Sequence, residues 1–198
     1  IGRNLIRKLT KNNYKVVAVT RNIHRKGFQL KTQANPGYLE LVELETLDEV
    51  KIKDLFNSCS VCVNLIGILY EKNKGQFNKI HSVLPNILSK IAKEKKIDQF
   101  IHVSALGVEN ASNSIYAKSK LDGENNVKKN FQNFLILKPS IVYGIDDNFT
   151  TNFMSLLSKL PIMPLYYNGE TKFVPIHVSD LAEICLLYTS DAADESTC

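Results

Sequence analysis

Residues 99–124, QFIHVSALGVENASNSIYAKSKLDGE, decide the fold class of this chain. They open with a short apolar run, Gln99 to Val103, and end in a segment of helical composition, Ser114 to Glu124. A buried strand that continues through a loop into a helix is half of a parallel β-α-β unit. This stretch therefore predicts one strand of a parallel sheet and the crossover helix that follows it.

On both sides of this stretch, strand-like apolar runs alternate with segments of helical pattern. Nearly continuous apolar runs rich in Val and Ile are typical of strands covered on both faces. Tyr38 to Leu44 alternates apolar and polar residues and predicts a strand nearer one side of the sheet. Pro85 predicts a kink or break in a helix. The predicted strands are Tyr14–Thr20, Cys59–Ile66 and Asn133–Lys138, and the predicted helix faces are Leu5, Ile6, Leu9 and Ile80, Leu84, Ile87, Leu88, Ile91. The prediction is a doubly wound α/β domain, with ligands at the carboxyl ends of the strands.

Length, charge and hydropathy exclude several classes of protein. The 198 residues suffice for one domain with a substantial core. The net charge is +5, but the lysines are dispersed and no Arg-rich tract with interleaved aromatics occurs, so we expect no nucleic-acid partner. No stretch approaches the ~20 apolar residues of a membrane helix and no signal peptide precedes the fold, so the expected compartment is cytoplasmic.

Cysteine and histidine spacing predicts no metal site. Cys59 and Cys62 form a C-x-x-C pair, but residues three apart on a strand point to opposite faces, so we expect free thiols buried in the core. The four histidines lack metal-ligand spacing, and structural or surface roles are expected for them. His102, two residues before Ser104 on the same strand, is a candidate to line a site.

Ser104, Tyr116 and Lys120 are the candidate catalytic residues. Tyr116 and Lys120 are four apart and share one helix face. An ammonium near a phenol favours the phenolate and lowers its pKa. Such a phenol passes a proton to or from a carbonyl oxygen while hydride moves to or from a cofactor, and a serine hydroxyl holds the same oxygen. The same spacing also occurs by chance on solvated helices, so the surrounding fold must show whether these residues form a catalytic site.

Both ends of the chain are unusual. Ile1-Gly2-Arg3 runs directly into an amphipathic helix, so we expect that an opening strand is missing and that Gly2 is the last glycine of a phosphate-binding turn. The alternative is a boundary at an unrelated loop. Residues 185–198 resemble translated sequencing-adapter read-through and are interpreted as a non-native tail, with a frayed polar tail as the alternative. The domain then spans residues 1–184, truncated at both termini.

A small substrate or partner region is expected to start near residue 149. Phe149 to Leu160 is amphipathic, and Asn168-Gly169 predicts a hairpin turn. Core packing is the default expectation for its apolar side chains, with an active-site mouth or a docking surface as alternatives. These side chains are Phe153, Leu156, Leu157, Ile162, Met163, Tyr166 and Tyr167.

These residues resemble the short-chain dehydrogenase/reductase superfamily in its extended and atypical branches, which include NAD-dependent epimerases and dehydratases, over most of residues 1–184. The resemblance implies a Rossmann fold, with Ser104, Tyr116 and Lys120 as the catalytic trio. His177 to Ala182 matches a late helix start of the extended branch, with Ser179 or Asp180 as its cap. The cofactor-binding residues that it implies are Gly2, Asn22, Leu65, Ile66, Gly67, Val103 and Pro139, together with the trio.

Within that superfamily the chain most resembles the nucleotide-binding accessory subunits of respiratory complex I and their bacterial relatives. Four stretches carry this resemblance: Asn64–Glu71, Phe100–Gly107, Ser114–Glu124 and Leu137–Phe153. It implies a nicotinamide dinucleotide held as a structural or regulatory ligand. It also implies complex I or an assembly intermediate as partner, and a peripheral position at the inner face of the respiratory membrane.

The residue after the second strand of a Rossmann fold predicts cofactor choice. The predicted strand ends Val19-Thr20-Arg21-Asn22, with no acid to bind the ribose diol of NAD. A guanidinium suits a phosphate, so NADP(H) is the expected cofactor, with Arg21 as the 2'-phosphate ligand and Arg25 or Lys26 as helpers. The alternative is a solvated arginine, with NAD(H) accepted as well.

Two functions follow, and the sequence leaves both open. In the first, the protein is a nucleotide-loaded accessory component. In the second, it is an active NADP-dependent oxidoreductase, epimerase or dehydratase, with Tyr116 as general acid/base, Lys120 tuning it and Ser104 orienting a carbonyl. The 198-residue chain by itself is expected to be inactive and to bind cofactor poorly, because it lacks most of the phosphate turn.

Overall fold

Helices and strands alternate along the chain in the computed structural model, which describes residues 1–145, 147–160, 168, 170 and 172–195. The described helices are α1 Gly2–Lys11, α2 Ile23–Lys31, α3 Glu49–Leu55, α4 Leu84–Lys95, α5 Ile115–Asn130, α6 Asn148–Lys159 and α7 Val178–Glu195. The described strands are β1 Val16–Thr20, β2 Leu39–Glu43, β3 Val61–Asn64, β4 Gln99–Val103, β5 Phe134–Leu137, β6 Val142–Tyr143 and β7 Ile176–His177. The predicted α/β class is confirmed.

All strand pairs in the described residues are parallel. β4 lies between β3 and β5, with Val63 opposite Ile101 and Ile101 opposite Leu135. β1 pairs with β2, and β6 with β7. Within the described part of the chain, no backbone ladder joins β1 to β3. The expectation of an opening strand before Gly2 stays a prediction.

The two faces of β4 are both covered, as a doubly wound sheet requires. Phe100 packs with Ile91 and Val127 of α4 and α5, whereas its neighbour Ile101 packs with Leu5 of α1 and residues of α7. Successive strand residues point to opposite faces, so β4 is buried along its whole length. Each fully buried large apolar side chain contributes roughly 1.5–3 kcal/mol.

Cys59, Cys62 and Cys185, the cysteines among the described residues, are free thiols, but Cys59 and Cys62 are less buried than predicted. Cys59 lies just before β3 and Cys62 lies within it, and both are half-buried. Cys62 packs at the margin of the α4/α5 core, where burial raises its pKa to about 12. Cys185 of α7 is fully buried.

Pro85 interrupts the helical pattern as predicted. A six-residue π-helical segment, Asn78–Val83, precedes α4, and Pro85 lies in the first turn of α4. Proline has no N–H for the helical ladder and its ring crowds the preceding turn, so the chain widens before it. The π segment packs directly against α5.

The region after residue 147 departs from expectation. α6 forms as predicted from its amphipathic pattern, but Phe153, Leu156 and Leu157 are exposed, so core packing is wrong for these three. The predicted side chains at 162, 163, 166 and 167, and Gly169 of the predicted hairpin, lie outside the described residues. No helix in the described part of the chain is long and apolar enough to cross a bilayer.

The last helix runs through the predicted tail. α7 is continuous to Glu195, and Cys185 packs beside Leu5 and Leu9 in the core shared with α1. The His177 side chain caps this helix by accepting a hydrogen bond from the Ser179 backbone N–H at 3.3 Å. Ser179 and Asp180 lie inside the first turn, so their predicted capping role is wrong. The non-native origin of residues 185–198 stays a prediction.

Candidate functional site

Helix α5 carries the candidate catalytic residues. Its N-cap is Ser114, whose side chain accepts a hydrogen bond from the Ala117 backbone N–H at 3.3 Å. Residues four apart share one helix face, so Tyr116, Lys120 and Glu124 stand in one row toward the carboxyl end of β4. The structure thus confirms that Tyr116 and Lys120 lie on a helix.

Lys120 is buried at the carboxyl end of β4. Its Nζ donates to the Val103 carbonyl at 3.2 Å. A Cβ added at Gly67, after β3, would lie 3.3 Å from that same Nζ, so the chain passes the ammonium very closely there. Burial lowers the pKa of Lys120, and the nearby Glu124 partly offsets this. The Lys120 ammonium therefore lies between the end of β4, to which it is bonded, and the segment that follows β3.

Ser104 is hydrogen-bonded to a carboxylate that was not among the predicted site residues. The Ser104 hydroxyl donates to Glu124 Oε1 at 2.6 Å, and Glu124 is 0% exposed. Lys138 Nζ lies 3.1 Å from Glu124 Oε2 and Lys128 Nζ lies 3.8 Å from it. Sequence reasoning missed Glu124, although its place four residues after Lys120 was a usable signal. The Ser104 proton is thus held by Glu124 rather than presented toward Tyr116.

Tyr116 packs against two other aromatic side chains. Its ring meets the rings of Phe77 and His81 edge-on, with centroids 5.6 and 5.3 Å away. Burial raises the pKa of Tyr116 above its usual value. The expected lowering by Lys120 is wrong for this arrangement, because the ammonium is engaged with the Val103 carbonyl instead.

His81, in the π segment, has the structural role expected of the histidines, but its place beside Tyr116 was not predicted. Its Nε2 accepts the Ile68 backbone N–H at 3.1 Å, so its proton is on Nδ1, which lies 2.9 Å from Ser119 Oγ. That hydroxyl in turn donates to the Tyr116 carbonyl at 2.7 Å. Burial, followed by the charge of Lys120, lowers the pKa of His81 to about 4. A neutral His81 therefore ties the loop after β3 to α5.

His102 lies behind the site rather than lining it. Its Nδ1 lies 3.1 Å from Asn64 Nδ2, and Asn64 Oδ1 accepts the Ile66 backbone N–H at 3.1 Å. Burial, followed by the charges of Lys120 and His81, lowers the pKa of His102 to about 3. The pair fixes how the chain leaves β3 toward Gly67.

The predicted nucleotide contacts lie at strand ends and at the start of α1. A Cβ at Gly2 would lie 3.7 Å from Leu65 Cδ1, so the N-terminus of α1 lies beside the end of β3. Ile66 and Gly67 are exposed, and Pro139 follows β5. A helix N-terminus beside exposed backbone suits a pyrophosphate, so these residues fit a dinucleotide. Their binding role stays a prediction.

The residues predicted to choose between cofactors follow β1. Arg21 and Arg25 are exposed. Asn22 has a structural role, because its Oδ1 caps α2 by accepting the Arg25 backbone N–H at 2.8 Å. Among the described residues, no group of three or more metal-ligating side chains is present.

A parallel, doubly wound sheet with a Ser, a Tyr and a Lys at the carboxyl edge defines a Rossmann-type protein of the dehydrogenase/reductase class. The sequence profile of the NAD dependent epimerase/dehydratase family matches residues 1–196, and the chain belongs to that family. The predicted membership in this group of NAD(P)-binding Rossmann proteins is confirmed.

Three similar proteins extend this comparison. "NADH dehydrogenase [ubiquinone] 1 alpha subcomplex subunit 9, mitochondrial" of Mus musculus is 26% identical, over 96% of this chain and 51% of the relative. "Ceramide reductase" of Caulobacter vibrioides is 26% identical, over 92% of this chain and 55% of the relative. The structure of UDP-glucuronic acid 4-epimerase from Bacillus cereus, in complex with UDP-glucuronic acid and NAD, is 21% identical, with a TM-score of 0.71 over 92% of this chain and 67% of the other. The chain spans about half the length of the curated relatives it matches.

Proposed function

We propose that the protein holds NADP(H) as a structural or regulatory cofactor, as an accessory component of a respiratory complex I or of one of its assembly intermediates. A nucleotide that binds only the folded state stabilises it by mass action. Similarity to the mouse NADH dehydrogenase subunit supports this proposal. The arrangement of the site supports it further, because Ser104 bonds to Glu124 and Lys120 to the Val103 carbonyl rather than either bonding to Tyr116.

The bond from Ser104 to Glu124 carries the proposal. A serine that orients a substrate carbonyl must donate its proton to that oxygen. Here the donor is committed at 2.6 Å to a buried carboxylate, and a hydrogen bond to a charged group is among the stronger ones. The pKa of Tyr116 is raised and Lys120 is turned to a backbone carbonyl. Among the described residues, no hydrogen bond joins Ser104, Tyr116 and Lys120 to one another, which favours binding without turnover.

Cofactor choice gives the first test. Replacing Arg21 by Ala is expected to weaken NADPH binding by about 10- to 100-fold and to change NADH binding little, since one charge-assisted contact to the 2'-phosphate is lost. Because the chain spans about half the length of the curated relatives it matches, titration calorimetry uses a full-length homologue that carries the same arginine. Replacing the exposed Lys90 is the control. Equal affinity of the unaltered homologue for both nucleotides contradicts the role of Arg21.

The second candidate function is an active NADP-dependent oxidoreductase, epimerase or dehydratase. Similarity to the Caulobacter ceramide reductase favours it, as does the complete Ser, Tyr and Lys set. If the accessory function holds, the homologue co-purifies with complex I, releases its nucleotide unchanged on denaturation and shows no turnover with carbonyl or sugar-nucleotide substrates. Steady turnover that is abolished by Tyr116→Phe overturns the accessory proposal and establishes the enzyme.

A further inference from the structure

The charges of this chain are strongly segregated along the sequence. All nine charged side chains of residues 1–39 are Arg or Lys, and the first carboxylate is Glu40. The remaining 159 residues carry 16 basic and 20 acidic side chains. The net charge of +5 therefore conceals a strongly cationic segment that comprises α1, β1 and α2, attached to a slightly acidic remainder.

The fold brings the ends of α1 and α2 together. Arg7 Nε donates to Gln33 Oε1 at 3.1 Å, and the Asn35 side chain donates to the Thr10 carbonyl at 3.1 Å. Lys11 and Lys31 are the last residues of α1 and α2, and both are exposed. Lys15, at the start of β1, is exposed as well. These three lysines and Arg7 form what we term the basic surface.

An aromatic side chain stands within this cationic segment. The apolar side of α2, which includes Ile23 and Gly27, packs against Leu41 of β2. Phe28 is not part of that contact and is 79% exposed. Phe28 points away from that side, flanked in sequence by Arg25, Lys26 and Lys31. Cations around an exposed aromatic ring are typical of helices that lie on anionic membranes, where the ring enters the headgroup region.

A polar cleft opens between α1 and α7 beside the basic surface. Its volume is about 370 Å³, and its lining includes Asn4, Arg7, Lys8 and Lys11, with Glu183 as the carboxylate. Lys8 is paired with Glu183, which leaves Arg7 and Lys11 in excess there. The cleft has the charge that a lipid phosphate requires.

From these observations we propose that the basic surface, Phe28 and this cleft dock the protein on an anionic lipid bilayer. The cations attract the lipid phosphates, and Phe28 inserts among the headgroups. A nucleic acid offers phosphates too, but an outward-facing phenyl ring on a convex helix surface has no unstacked base to meet on a duplex. The proposal does not depend on the nucleotide site, because Arg21 and the strand ends are not part of this surface.

Vesicle flotation of the whole chain tests the proposal. Vesicles with 30% phosphatidylglycerol are expected to bind the chain and phosphatidylcholine vesicles are not, and binding should weaken steeply with added salt. Replacing Lys11, Lys15 and Lys31 together by Gln is expected to weaken binding by about 100-fold, since each lysine near an anionic surface contributes about five-fold. Phe28→Ser is expected to weaken it by about ten-fold.

A matched control separates this surface from net charge. Lys90, Lys93 and Lys129 are exposed on α4 and α5, which cover the opposite face of the sheet, and their replacement by Gln removes the same charge. This variant should bind vesicles almost as well as the unaltered chain, and circular dichroism confirms that both variants fold. Equal losses in the two triple variants overturn the proposal, as does equal binding to neutral vesicles. Binding of duplex DNA without binding of anionic vesicles also overturns it.

Discussion

Lowering the pH from 6.5 to 4.5 is expected to destabilise the protein by several kcal/mol. His81 and His102 are buried neutral, with their pKa values lowered to about 4 and about 3, whereas the unfolded chain takes up protons near 6.5. Between pH 6.5 and 4.5 the unfolded state binds more protons than the folded state, so the free energy of unfolding decreases as the pH falls. The contribution of the two neutral imidazoles is fully present only above about pH 6.5. His81 alone accounts for about 3 kcal/mol over its whole window.

Urea unfolding at several pH values between 7 and 4.5 measures this effect. His81→Asn is expected to lower stability at pH 7, because the bond to the Ile68 N–H is lost, and to flatten the pH dependence. His24, which is exposed on α2, is the control, and His24→Gln should leave the slope unchanged. A stability that does not change between pH 6.5 and 4.5 would show that the two imidazoles are not held neutral.

Replacing Gly123 by Ala is expected to destabilise the protein by about 3 kcal/mol. A Cβ at this position would lie 1.9 Å from the His81 carbonyl oxygen and 3.4 Å from Pro85 Cγ. Backbone atoms cannot move aside cheaply, so α5 and the π segment must separate. On a solvated helix the same change stabilises by about 1 kcal/mol, so the sign of the effect identifies the close contact.

The free energy of unfolding of Gly123→Ala, from urea titration or calorimetry, gives the measurement. Asn125→Ala, on the exposed side of the same helix, is the matched control and is expected to change stability by less than about 0.5 kcal/mol. A Gly123→Ala protein as stable as the original would mean that α5 and the π segment are not packed at this distance.

The elements that sequence patterns predicted best are those set by local chemistry. β4 has the bounds that its run of residues indicated, Gln99–Val103, and all five of its residues are buried. The predicted helical segment began at Ser114, which is the N-cap of α5, a position that short polar side chains favour. β3 is shorter than predicted, because Leu65 and Ile66 continue the apolar run without joining the ladder.

The candidate site was only half predictable. The spacing of Tyr116 and Lys120 places them on one helix face, but neighbouring residues in the sequence do not determine which hydrogen-bond partner each side chain contacts. Lys120 bonds to Val103 and Ser104 to Glu124, and both contacts depend on how α5 is placed over β4. His81 was passed over because its partners, Ile68 and Ser119, lie 13 and 38 residues away. The exposure of α6 was missed for the same reason, since an amphipathic pattern does not identify what covers the apolar side.

The sequence by itself determined the alternation of helices and strands, the doubly wound class and the row of Tyr116 and Lys120, because each depends on periodicity and on residues close together in the chain. Only the tertiary structure decided that the Ser104 hydroxyl bonds to Glu124, that burial raises the pKa of Tyr116 and that the ends of α1 and α2 lie together. These depend on distances between segments far apart in the chain, and on the desolvation that packing imposes on each buried group.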